Sequence, residues 1–417
     1  MRYIFAYLLI LGTCLIHAQE KRNLYFWETG GPEKIPFERS AELVDIGFTG
    51  RYMNYTGADT WYPTWAGDGH LYSPYTDGAV DGILSISDGD WQDQGAENTT
   101  TGQAVITGSD PMNLVVKSLG VETADASPYR GRYPCGSLIH DGIWYYGTYC
   151  LGPRSSVEKD GFPYNWPWLG PFVGFRMSGD YGKTWADCPH TPARPIFGET
   201  GQEAAPVKIG SPHFVDFGRN MEHSPDGKAY LVAHGASSGP EGRRFAYNSW
   251  ITGDEIYLIR VMPSPETIND PDAYEFFAGF DKNGRPQWTR DFERIMPMLQ
   301  WKDHMGCVTM TYDAPLGKYL LCVTDGTSTR GYKHTYILAS EDVAGPWKLV
   351  RYFSRFGEAA YFVNIPAKFI SPDGLTMWMC YAANFERNEF HLEEKPDGSR
   401  YAMSLHEIKL ITNKPEP

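Results

Sequence analysis

The sequence predicts an all-β fold, a five-bladed β-propeller with four antiparallel strands per blade, and three observations predict it. A pattern of strand, tight Gly turn and aromatic-rich strand recurs five times along the chain. Four of its five turns are Asp-Gly or Pro-Asp-Gly set between alternating apolar residues, the strongest short-range signal for a hairpin, and the other is Pro315-Leu-Gly317. Aromatic residues make up 15% of the 417 residues, with 44 Gly and 30 Pro, a composition of many short strands and many turns.

In chain order, residues 1–18 come first. Arg2 precedes about a dozen apolar residues, and Ile16-His-Ala18 precedes Gln19, which predicts a cleaved export signal too short to span a bilayer. Leu11-Gly-Thr-Cys14 faintly resembles a lipoprotein box, with Thr13 a poor fit before Cys14. Residues 19–417 then read as one propeller domain without a linker. The repeat copies are Tyr62 to Ser73, Gly136 to Gly147, Asn220 to Val232, Met310 to Leu321 and Lys368 to Met379. Each is followed by a third strand-like run and usually a fourth, as radial repetition of four-stranded sheets requires. Ser178-Gly-Asp-Tyr-Gly-Lys-Thr-Trp185 matches the Asp-box, a structural turn, and Ser340-Glu-Asp-Val-Ala-Gly-Pro-Trp347 is a variant of it. Ser264-Pro-Glu-Thr267 is a helix-start pattern and predicts a short helix between 263 and 299.

Composition also excludes. The net charge of −14 argues against a nucleic-acid binder that relies on phosphate contacts. After the signal, six cysteines remain, none in a Cys-x-x-Cys pair. In an exported protein they are either disulfides or small buried hydrophobes, and Cys307 and Cys322 flank one predicted hairpin. No zinc site, phosphate-cradling Gly loop, Gly-x-Ser-x-Gly turn or His-Glu-x-x-His motif is present. Asn54-Tyr-Thr56 and Asn98-Thr-Thr100 fit the glycosylation pattern, which occurs readily by chance.

In a propeller the innermost strands line a central channel, and their first residues gather at one mouth. The strand starts supply Asp59 and Trp61 in blade one and Arg132 in blade two. Lys208 and His213 come from blade three, Asp303 and His304 from blade four, and Glu358, Tyr361 and Asn364 from blade five. A hairpin turning at Asp68-Gly69 brings Asp59 and Asp77 to the same mouth. Two carboxylates facing one bond are what glycoside hydrolysis needs: one protonates the leaving oxygen, the other activates water or attacks the sugar. The plainer alternative is that Asp77 caps an Asp-Gly turn and Asp59 bonds local backbone. Asp254 and Asp325 are further candidates, and Val323-Thr-Asp-Gly326 repeats the Tyr75-Thr-Asp-Gly78 of blade one. Trp61, Trp65, Tyr72, Tyr75, Trp166, Trp168, Trp250 and Trp301 fall near the predicted mouth, as sugar platforms or as packing between blades.

These features resemble known proteins. The five-repeat plan, the Asp-rich first blade and the Ser-Glu-Asp-x-x-Gly-Pro-Trp turn look like the propeller glycoside hydrolases of family 43. That family places carboxylates on three successive blades, whereas Arg132 and His213 stand at the comparable positions here. A closer resemblance is to secreted five-bladed propellers catalogued as a domain of unknown function, a set that includes endo-D-arabinanases. Gly57-Ala-Asp59, Asp77-Gly78, Lys208-Ile-Gly-Ser-Pro-His213, Trp301-Lys-Asp-His304 and Tyr361-Phe-Val-Asn364 carry it. The resemblance implies Asp59 and Asp77 as the catalytic pair.

The expectation is therefore a secreted or periplasmic glycoside hydrolase acting on a polysaccharide or oligosaccharide. Trp61, Arg132, His213, Asp303, His304, Glu358, Tyr361 and Asn364 would bind substrate. It would have no cofactor, no metal at the site, no nucleic-acid partner and no membrane span after signal cleavage; a structural calcium in the channel is compatible with it. Two alternatives stay open. One is a lyase acting on uronic-acid glycans through His213, His304, Tyr361 and Arg132. The other is a propeller that binds glycans without cleaving them.

Overall fold

The computed structural model describes residues 24–413, apart from 28–30, 33, 153–156, 160–161, 165–167, 203–204, 239–248, 327–332, 358 and 384–395, and apart from the side chains of 157–159 and 162–164. Residues 1–18, read from the sequence as an export signal and including Cys14, lie outside the described residues, as do Trp166 and Glu358.

Five sheets form a ring, one per predicted repeat, and the fold is a five-bladed β-propeller. The innermost strands are Gly57–Asp59 with Thr64–Trp65, then Gly131–His140, His213–Phe214, Val308–Asp313 and Tyr361–Asn364. Each pairs antiparallel with the strand after its Gly turn, as the repeats predict. The turn between Gly131–His140 and Ile143–Leu151 shows why Asp-Gly is there. Asp141 has φ 49° and Gly142 φ 80°, the left-handed pair that a two-residue hairpin of the right twist demands.

Hydrogen bonds join neighbouring inner strands around the ring. Ile139 N donates to Thr64 Oγ1 (3.1 Å), Gly136 N to Pro212 O (2.7 Å) and Asp216 N to Met310 O (2.9 Å). Thr309 and Thr311 hydroxyls each donate at 2.7 Å, to Val363 O and Ile365 O. Asn364 Nδ2 closes the circle by donating to Trp61 O (2.9 Å). Between the sheets lies an aromatic core, including the fully buried Trp144, Tyr145, Tyr257 and Tyr336.

Three details differ from the sequence expectation. The outermost strand of blade five is the N-terminal Leu43–Tyr55, paired with Met403–Thr412, so the first strand of the chain completes the last blade. No α-helix forms between 263 and 299: Ser264 starts a single turn with Ile268 N on Ser264 O (3.0 Å), and the rest of the interval holds short 3-10 turns and strands. One turn fixes several residues for a single bond and does not propagate without further pairs. Blades also depart from four strands, blade two having three plus an isolated bridge of Met177 to Ala186 and blade three carrying extra strands. All six described cysteines are free, and the register sets Cys322 opposite Thr309 rather than Cys307. No helix among the described residues is long and apolar enough to cross a membrane.

Candidate active site

The up-and-down order of a blade puts four kinds of strand end on one face: the start of the first strand, the end of the second, the start of the third and the end of the fourth. Asp59 ends the short first strand of blade one. The register sets it opposite Thr76, so that Asp77 is the next residue along the partner strand. Gly78 permits this approach, because a Cβ there would stand 2.0 Å from Gly57 O. Gly326, after Asp325 in blade four, is equally confined, its Cβ position lying 2.7 Å from Ile251 Cβ.

Asp59 is 8% exposed. Burial pushes its carboxyl up to about 6, while the hydroxyls of Thr60, Tyr361 and Tyr401 and the charge of Lys333 pull the other way. Thr60 Oγ1 donates to Asp59 Oδ1 (2.7 Å) and Tyr361 OH to Asp59 Oδ2 (2.8 Å). Asp77 keeps some solvent contact, yet its carboxyl is held well above the usual range by loss of solvation and then by the Asp59 charge. It accepts from Ser87 N at 2.8 Å on Oδ1, and Tyr401 OH donates to its backbone carbonyl at 2.6 Å. A negative charge on Asp59 thus makes Asp77 the harder of the two to ionise. The surrounding backbone is strained: non-glycine residues in the left-handed region include Thr60 (φ 64°), Asp77 (φ 48°), Asp303 (φ 64°), Ala359 (φ 79°) and Phe362 (φ 56°).

Of the other expected residues, Tyr361 joins the pair directly. Arg132 does not: its Nε donates to Thr148 Oγ1 (2.8 Å) and its Nη1 to Asp125 O (3.3 Å). Its neighbour Arg130 is the buried cation nearer the site, bound through Nε (2.8 Å) and Nη2 to Asp88, a carboxylate whose charge also raises Asp77. Trp61 is 1% exposed and stacks on Tyr75 with ring centroids 5.9 Å apart, so it packs between strands rather than offering a face to a sugar. Asn364 spends its amide on Trp61 O and Phe362 O, both at 2.9 Å.

His213 lies inside the channel with Tyr62, Asp216, Thr309 and Asn364. Its ring is 4.0 Å from that of Tyr62, and burial takes its imidazole down to about 3, which keeps it neutral. Asp303 N donates to Asp254 Oδ1 (2.9 Å). His304 stacks on Trp301 (4.0 Å) with Nδ1 2.7 Å from Oδ2 of the buried Asp325, which also accepts from Tyr352 OH (2.8 Å). The Thr-Asp-Gly repeat thus marks one structural position, the mouth end of the second strand, in blades one and four.

Sequence reasoning missed Lys333 and Tyr401 at this mouth; Arg130 stood in its blade-two strand start, Arg130-Gly-Arg132-Tyr133, but Arg132 was preferred. It also missed Glu199, whose carboxyl burial raises to about 7 while it accepts from Lys208 N and Ile209 N. The signal lay in the blade topology: third-strand starts reach the same face as first-strand starts. Among the described residues no three His, Cys, Asp or Glu side chains converge as a metal site.

No family model matches the chain, and no curated protein matches it. Among solved structures it is similar to an α-L-arabinofuranosidase from Podospora anserina in complex with cellotriose, at 12% identity and TM-score 0.42 over 94% of this chain and 98% of that one. It is also similar to a GH43_1 enzyme from Xanthomonas citri complexed with xylose (13%, TM-score 0.44, 88% and 92%). A family 117 glycoside hydrolase from the marine bacterium Zobellia galactanivorans is a third (12%, TM-score 0.44, 91% and 94%). These are likenesses of architecture at low identity, and the chemistry has to be argued from the site.

Proposed function

We propose that the chain is a glycoside hydrolase that cleaves a polysaccharide or oligosaccharide through Asp59 and Asp77. The observation that carries this reading is the carboxyl pair that one hairpin sets side by side at the propeller mouth, Asp59 opposite Thr76 and Asp77 next along, both raised by burial. Their surroundings divide the roles. Asp59 is held by the hydroxyls of Thr60 and Tyr361 and faces the Lys333 charge, so it is the member that ionises first. Asp77 keeps the proton against the Asp59 charge. Asp77 then protonates the leaving glycosidic oxygen, and Asp59 activates water or attacks the anomeric carbon. The reading uses no cofactor and no metal, and it includes export directed by residues 1–18. Asp59→Asn and Asp77→Asn test it: each should remain folded and lose turnover on the polysaccharide that the wild-type protein cleaves. Full turnover in both would end the assignment.

A further inference from the structure

We propose that Lys333 is a positioning residue, the buried counter-charge that keeps the negative charge of the pair on Asp59 rather than on Asp77. This rests on the hydrolase reading for its purpose but not for its test. Lys333 opens the third strand of blade four, directly before His334–Ser340. It is 1% exposed, a burial that a lysine rarely adopts without an opposite charge nearby. Its ammonium sits 5.1 Å from the Trp250 ring centroid and 5.2 Å from that of Tyr361. Those two rings lie 5.3 Å apart, so the ammonium rests against an aromatic wall. The same Tyr361 donates its hydroxyl to Asp59 Oδ2 at 2.8 Å.

Geometry and charge therefore run from blade four through a blade five ring to blade one. The titratable groups that face Asp59 are Asp77, Tyr62, Tyr133, Tyr149, Tyr361 and Tyr401 besides Lys333 itself. Burial raises every one of those phenols, so they stay neutral and only donate or accept hydrogen bonds. Arg130 and Asp88 stand on the Tyr133 and Asp77 side, where the guanidinium is paired with the Asp88 carboxylate; Lys333 is the cation whose charge acts on Asp59. Removing it leaves Asp59 as a carboxylate supported by hydroxyls alone, which shifts the proton towards it.

The test needs no substrate. Protein labelled with 13C at aspartate carboxyl carbons is titrated by NMR, with Asp59→Asn and Asp77→Asn assigning the two resonances. In Lys333→Met the Asp59 midpoint should rise by at least about one pH unit, a tenfold weaker acid, while Lys333→Arg should leave it within a few tenths. A purely structural lysine would change unfolding without moving the midpoint. If Lys333→Met does not fold at neutral pH, the double variant Lys333→Met/Asp59→Asn should recover stability, because both members of the pair are gone. An unmoved midpoint in folded Lys333→Met, or no recovery in the double variant, overturns the proposal. Activity surviving in Asp59→Asn would instead defeat the hydrolase reading and leave this charge pairing intact.

Discussion

Tyr361 and Asp59 stand 302 positions apart in the chain and meet in one hydrogen bond of 2.8 Å, from the inner strand of blade five to the inner strand of blade one. The bond crosses the join where the ring closes. Tyr361→Phe removes only the hydroxyl. A hydrogen bond to a charged group contributes about 1.5–3 kcal/mol, so Asp59 should become a weaker acid by about one unit or more. The acid limb of kcat/KM should move up by the same amount, and the folded protein should lose about 1 kcal/mol or more at pH 7 but less at pH 4, where Asp59 is protonated. A pH–rate profile of the variant checks this.

The pair also sets a pH dependence for the wild-type protein. Asp59 must be ionised and Asp77 protonated, so kcat/KM should climb through about pH 6 and fall again where Asp77 loses its proton. Stability runs the opposite way over part of that range. Because folding raises the Asp59 value from 3.8 to about 6, the folded state binds the proton more tightly there. Its contribution to stability falls as pH rises from about 4 to about 6, by about 1–3 kcal/mol. Asp59→Asn should therefore be at least as stable as wild type at pH 7 while inactive, and urea unfolding at pH 4 and pH 7 measures both ends.

Gly78→Ala should damage the site without touching a carboxylate. The added Cβ meets Gly57 O at 2.0 Å, which real contacts do not permit. The two strands must separate, and Asp77 moves away from Asp59. Activity should fall at least about tenfold, with the folded protein losing about 1–3 kcal/mol, read by turnover and urea unfolding together.

Ring closure has its own test. Ile46 lies on the N-terminal strand, fully buried against blade five. Ile46→Ala leaves a cavity at the seam and should cost about 2–5 kcal/mol. The exposed Val44 on the same strand should tolerate Ala within about 0.5 kcal/mol. Denaturant midpoints of the two variants make the comparison.

Much of the architecture was legible because turn chemistry is local. Asp141-Gly142 and the Pro-Asp-Gly turns announce hairpins through backbone conformations that few other residues adopt, and five such signals at blade spacing give the fold. The N-terminal closing strand was not legible, because pairing Leu43–Tyr55 with Met403–Thr412 is a contact between chain ends that no local pattern encodes. At the site, the spacing of Asp59 and Asp77 about one hairpin carried the pair, since register follows from the turn. Arg132 and Trp61 were placed by strand position alone. Which face of a strand a side chain takes, and whether it spends its polar atoms on a neighbouring blade, depends on tertiary packing. Lys333 and Tyr401 went unseen for the complementary reason: they reach the mouth from just before the third strands of their blades, outside the strand–turn–strand repeat.

The most direct measurement is the mass of what the protein releases from plant, algal and microbial polysaccharides, taken for wild type, Asp59→Asn and Asp77→Asn side by side. The account predicts wild-type fragments that carry one added water per cleaved bond, with release cut at least about 100-fold in each variant. Fragments that lack the water and carry a new double bond, or undiminished release from both variants, would contradict it.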